Sequence, residues 1–221
     1  MKRTTLTILT LTAALLWVAP AGADEAENIV RSFRQQIPVG DADRIYLEFP
    51  VGEVTVEAWD NPQVNLDVKI ACNKKKSNSR CAKAAEGLRL VYNTSGDRLH
   101  VEVKNWPKFS GTKGLHVIAT VNVPRNLPLR TELGVGELSV QGTAGDLDVD
   151  LGVGEVNITL PKEAIRSVDL DTGVGEASLT AAGRHYESSG LMARELSWDK
   201  GTGRAGVKVE CGVGEIDVIL K

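Results

Sequence analysis

Four copies of one tetrapeptide punctuate this chain: Gly134-Val135-Gly136-Glu137, Gly152-Val153-Gly154-Glu155, Gly173-Val174-Gly175-Glu176 and Gly212-Val213-Gly214-Glu215. Pro50-Val51-Gly52-Glu53 is an early variant. Their spacings of 18, 21 and 39 residues imply a unit of roughly 20, with one degenerate copy inside the last interval. Periods of this length belong to stacked-rung architectures, in which each unit is too small to bury its apolar face alone.

Each copy lies within an alternating stretch. Leu147, Val149, Leu151 and Val153 read as one face and Asp148 and Asp150 as the other, the period-two pattern of a half-buried strand. After the tetrapeptide the alternation resumes one residue out of step, with Val156, Ile158 and Leu160 as the inward set. Such a slip would turn the apolar face to water unless the chain bends, and the glycines permit the bend. The expected fold is all-β: a β-solenoid-like stack of short strands, with Val135, Val153, Val174 and Val213 facing the core and successive units side by side. The corner glycines are Gly52, Gly134, Gly136, Gly152, Gly154, Gly173, Gly175, Gly212 and Gly214.

The first half is less regular. Met1-Lys2-Arg3, an apolar run to Val18 and Ala21-Gly22-Ala23 read as a signal peptide over residues 1–23. Residues 24–221 then form a single domain, an irregular β half (24–123) followed by the repeat array (124–221). A minor helix is expected over Asp24 to Gln36 and a turn or two of helix over Ala82 to Glu86. No stretch reaches the roughly 20 apolar residues of a membrane-spanning helix. The expected location is therefore outside the cytoplasm, in the periplasm or at the cell surface. There Cys72 and Cys81, which bracket a short basic loop, are the expected disulfide pair, and Cys211 is a buried thiol. The net charge of −3 becomes more negative once Lys2 and Arg3 are removed, which argues against nucleic acid as a partner.

The Gly-Xaa-Gly corners, the early copy near Gly52, Val123-Pro124-Arg125-Asn126 ahead of the array and Trp198-Asp199-Lys200-Gly201-Thr202-Gly203 before the last rung resemble the bacterial putative-adhesin family of unknown function. The likeness runs from about Arg44 to Lys221. It implies a "toast-rack" β stack in exported or envelope-associated proteins, and it supplies no catalytic residues.

Stacked rungs would bring Glu53, Glu137, Glu155, Glu176 and Glu215 into one acidic column and Glu132, Asp150, Asp171 and Glu210 into a second, at about 5 Å between neighbours. This acidic face is the candidate binding surface, with an envelope protein or surface polymer as partner. Arg130 and Lys208 line the same face and could neutralise it. Two alternatives stay open: a calcium-stabilised structural module and a glycan-active enzyme with acidic catalytic residues. No metal-ligand or cofactor motif is apparent among His100, His116 and His185, and Ser188-Ser189-Gly190 lacks a nucleophile elbow. No catalytic, cofactor or metal residues are assigned. Trp59, Trp106, Phe109, Tyr186 and Trp198 are expected to cap the ends of the core.

Overall fold

The computed structural model describes residues 28–73, 79–107, 114–188 and 194–221. The proposed signal peptide and Phe109 lie outside them. The strands are β1 (Asn28–Pro38), β2 (Arg44–Trp59), β3 (Gln63–Cys72), β4 (Arg89–Ser95), β5 (Arg98–Lys104), β6 (Leu115–Pro124), β7 (Leu129–Gln141), β8 (Leu147–Leu160), β9 (Ile165–Ala181), β10 (Arg184–Glu187), β11 (Arg194–Trp198) and β12 (Ala205–Leu220). One α-helix, α1 (Ser79–Glu86), falls between β3 and β4. The fold is all-β.

β2, β7, β8, β12 and β9 lie side by side, all parallel, with the tetrapeptides in register. Connection length shows that these strands cannot be straight. Leu147 lies beside Leu129 and Thr159 beside Gln141. A straight β7 would span about 40 Å, whereas the five residues between β7 and β8 reach only about 20 Å. Each long strand is therefore folded on itself at its tetrapeptide, where Gly52, Gly136, Gly154, Gly175 and Gly214 have φ of 140–150°, a region that only glycine enters readily.

Folding divides the sheet into two walls. The first arms continue through β5 and β4 on one side and β11 on the other. The second arms continue through β6, β3 and β1 on one side and β10 on the other. The inward side chains of both walls meet in one core that includes Leu47, Phe49, Val121, Leu133, Leu138, Leu151, Ile158 and Val218.

Three expectations need correction. Asn28–Pro38, most of which lay in the expected N-terminal helix, is strand β1, antiparallel to β3. Its run Asn28-Ile29-Val30-Arg31-Ser32-Phe33 carries β-branched and aromatic residues, and pairing with β3 outweighs any local helical preference. Val135, Val153, Val174 and Val213 face water, 45–51% exposed. The interior of a folded strand has room for the side chains flanking the bend, such as Leu133 and Leu138, and the valine between them is left on the convex outside. Finally, the rungs do not stack in chain order, because β12 is inserted between β8 and β9. The hydrogen bonds Lys162 N–H to Lys221 O (2.8 Å) and Lys221 N–H to Leu160 O (3.0 Å) close its end.

The interval containing the degenerate copy supplies the edge. β10 and β11 run antiparallel along the two arms of β9, and Trp198 on β11 is buried. A segment running in that direction cannot continue the parallel register of corners, so it carries none.

Cys72 and Cys81 form the expected disulfide and tie α1 to β3. Arg31 Nη1 donates to the carbonyls of Ala85, Glu86 and Leu88 (3.2, 2.6 and 3.0 Å), so β1 caps the helix C-terminus. Replacing both cysteines with serine should lower stability by about 2–3 kcal/mol in denaturant titrations, from the lost cross-link alone. Thr131 and Thr172 point into the core, where their hydroxyls have no hydrogen-bond partner. Thr131→Val and Thr172→Val should therefore each stabilise the fold, by about 1 kcal/mol, read as a higher denaturation midpoint.

Candidate functional site

The corner is built by close backbone contact. A Cβ on Gly136 would lie 1.8 Å from the Gly52 carbonyl oxygen. On Gly154 it would lie 1.7 Å from that of Gly136, on Gly214 1.7 Å from Gly154, and on Gly175 1.6 Å from Gly214. The first glycine of each tetrapeptide is packed less severely, with Gly134, Gly152, Gly212 and Gly173 at 2.4–2.6 Å from the preceding rung. Packing thus explains every repeated glycine, but it does not explain the repeated valine and glutamate, whose side chains lie outside.

Register sets the valines in one row, Val51–Val135–Val153–Val213–Val174, and the glutamates in another, Glu53–Glu137–Glu155–Glu215–Glu176. The expected acidic column exists, with its last two members exchanged by the position of β12. Elsewhere on the outer faces, apart from the acidic position two before the first glycine, the residue type changes from rung to rung. The outward position four before the first glycine is Arg130, Asp148, Lys208 and Asp169 across β7, β8, β12 and β9. The one two after the glutamate is Ser139, Asn157, Asp217 and Ser178. Among the described residues, only the corner presents the same exposed side chains four times.

The second acidic row is longer than expected. Glu132, Asp150, Glu210 and Asp171 continue through Glu48 to Glu102 on one side and to Glu195 on the other. Much of this row is neutralised within the fold. Arg130 pairs with Glu132 (2.7 Å) and Asp148 (2.9 Å), Lys104 with Glu102 (3.0 Å) and Lys208 with Glu210. Tyr46 also hydrogen-bonds Glu132. Burial, followed by that bond, pushes the phenol well above its usual range. Burial pushes the Glu132 carboxyl up, but the hydrogen bonds from Tyr46 and Arg130 outweigh it and hold the group below the usual range. The corner row differs: among the described residues, Glu53, Glu137, Glu155 and Glu215 have no ion-pair or hydrogen-bond partner. At one end of this row a hollow of about 370 Å³ is lined by Val51, Glu53, His116, Val135, Glu137 and Glu155. Another hollow, of about 620 Å³, lies over the first arms and includes Arg44, Arg98, Arg130, Arg166 and Lys208.

A family model, the N-terminal domain of toast_rack (DUF2154), matches residues 27–180. The chain belongs to this family. The match ends within β9, so β12 lies beyond it although it pairs with two strands inside it. Among solved structures, a "putative cell adhesion protein" from Clostridium sporogenes is 17% identical, with a TM-score of 0.53 over 86% of this chain and 99% of its own. A "putative adhesin" from Bacteroides fragilis is 8% identical, with a TM-score of 0.34 over 85% of this chain and 97% of its own. No curated protein matches the chain. At these identities the first likeness establishes a shared fold.

The remaining residues read from the sequence have structural surroundings in this toast-rack chain. Ser188 Oγ accepts from Ala177 N–H (3.0 Å), fastening the edge next to β10. His185 lies between Thr180 and Glu187 on the exposed edge. Trp59 donates to Gln63 O (2.8 Å), while Trp106 and Tyr186 pack against the core. Cys211 is a buried thiol, and burial raises its pKa. No helix among the described residues is long and apolar enough to cross a membrane. Sequence reasoning missed the cluster at the end of the second acidic row, where donor atoms of Glu48, His100 and Glu102 converge within 4.8 Å of one another. Its signal was the outward phase of Glu48 on β2 and of His100 and Glu102 on β5; what was lacking was the pairing of those two strands.

Proposed function

We propose that this chain is an exported, non-enzymatic binding or scaffold module of the bacterial envelope, and that the corner row is its contact surface. One observation carries the reading: exposed valine and exposed glutamate recur at every full corner although the fold needs only the glycines. Apolar side chains flanked by carboxylates suit a partner, whether envelope protein or surface polymer, that presents cationic and apolar groups along one line. The neighbouring glutamates repel one another by roughly 1 kcal/mol or less per pair in water, and a cationic partner relieves that repulsion over the whole row. Affinity would then come from many weak contacts. The adhesion names of the structural neighbours and the Cys72–Cys81 disulfide accord with a site of action outside the cytoplasm. Calcium stabilisation is less favoured for the corner row. Among the described residues, no three of its carboxylates converge as ligands would.

The test uses two labelled synthetic peptides, one alternating lysine and valine and one alternating glutamate and valine. The lysine peptide should bind the mature protein, with affinity falling steeply as salt rises, and the glutamate peptide should not bind. Equal binding of the two, or binding indifferent to salt, would remove the proposal.

A further inference from the structure

Among the described residues, only one group of three or more His, Cys, Asp or Glu side chains brings its donor atoms together: Glu48 on β2 with His100 and Glu102 on β5. Glu48 and Glu102 are direct cross-strand neighbours in the parallel β2–β5 pair. Like charges so placed are unfavourable without a counter-charge between them. His100 supplies an imidazole two residues before Glu102 on the same outward face, with Nε2 at 3.2 Å from Glu48 Oε2. The ring is held in place by its neighbour, because Tyr46 stacks on it with centroids 4.4 Å apart and planes 14° apart. Tyr46 is in turn tied to Glu132, which Arg130 holds. The cluster is partly sheltered, with His100 19% and Glu102 20% exposed, while Glu48 at 47% opens to solvent.

We propose that Glu48, His100 and Glu102 form a binding site for a divalent transition-metal ion of the zinc class. Ligands to such an ion sit about 2.0–2.2 Å from it and hence no more than about 4.4 Å from one another, so small rotations of the two glutamates close the site. Two carboxylate oxygens and one imidazole nitrogen suit zinc or its first-row neighbours; an imidazole ligand disfavours calcium and magnesium. Three protein ligands leave a fourth position for water. Lys104 must release Glu102, and with the lysine 51% exposed that ion pair is screened by solvent. The bound ion would clamp β5, and with it the β4–β5 hairpin, to the first rung of the array. This inference stands apart from the corner-row reading and shares no residue with it.

The test is calorimetric titration of zinc into the full mature chain after removal of adventitious metal, with visible absorption of bound cobalt as a second readout. One equivalent should bind, with a dissociation constant in the micromolar range or below, and should raise the melting midpoint. Glu48→Gln and His100→Gln should each weaken binding at least about tenfold and alter the cobalt spectrum. Lys104→Met should tighten binding, and Glu163→Gln, in the link between β8 and β9, should leave it unchanged. All four side chains lie outside the hydrophobic core, so the variants should fold, as circular dichroism will show. No saturable binding below about 1 mM, a site that survives His100→Gln, or calcium affinity equal to that of zinc would each overturn the proposal.

Discussion

Gly154→Ala is expected to leave little folded protein, whereas Gly96→Ala should cost only about 1–2 kcal/mol, the usual penalty of a left-handed residue. Both glycines have positive φ, +142° and +62° respectively, but their surroundings differ. Nothing lies within 4 Å of a Cβ added at Gly96, while one at Gly154 would sit 1.7 Å from the Gly136 carbonyl oxygen and 2.8 Å from its carbon. No rotamer relieves a collision between Cβ and a neighbouring backbone. Hydrogen bonds on either side hold the strands about 4.8 Å apart, so relief would require breaking the register of the array. A cost above about 4 kcal/mol is expected, a large share of the total stability of an ordinary domain. Gly134→Ala should fall between the two, with its added Cβ 2.4 Å from the Pro50 carbonyl oxygen and no positive φ. Urea midpoints would rank the three, and equal midpoints for Gly96→Ala and Gly154→Ala would refute the corner geometry.

Removal of residues 204–221 should be as severe, because the chain places its last strand in the middle of the sheet. β12 pairs with β8 over Val207–Leu220 and with β9 over Ala205–Leu220. Among the described residues, β9 is hydrogen-bonded to the array through β12 alone, since its remaining partners are the short edge strands β10 and β11. The truncated chain would carry two unpaired edges around an open slot and would lose the buried side chains of Val207, Val209, Cys211, Ile216, Val218 and Leu220. It should be largely unfolded or aggregated, and a synthetic peptide of residues 204–221 should restore structure by occupying the slot. A truncated chain with the melting curve of the intact one would show that β12 is dispensable.

Much of this was legible in the sequence. Alternation located the strands around the tetrapeptides, although β1 was expected to be helix, and the out-of-step resumption at Val156 marked where such a strand bends. The cysteine spacing gave the disulfide. The direction of Val135 and its equivalents was not legible, because alternation counts residues and cannot show that a folded strand has a convex outside. Nor was the place of β12. Identical corners pair equally well in any order, and only the path of the link Pro161–Ala164, which carries β9 two strand positions beyond β8, decides it. The metal cluster was hidden for a similar reason. Glu48 and His100 are 52 residues apart and meet only because β5 pairs with the first arm of β2.

The most direct measurement compares folding and binding in one variant, with Val135, Val153 and Val213 changed to threonine and Glu137, Glu155 and Glu215 to glutamine. If the corner's exposed side chains serve recognition, its denaturation midpoint will equal or exceed that of the parent protein while binding of the lysine–valine peptide falls at least about tenfold, or about 1.4 kcal/mol. A variant that binds as the parent does, or one that loses its fold, would contradict the account.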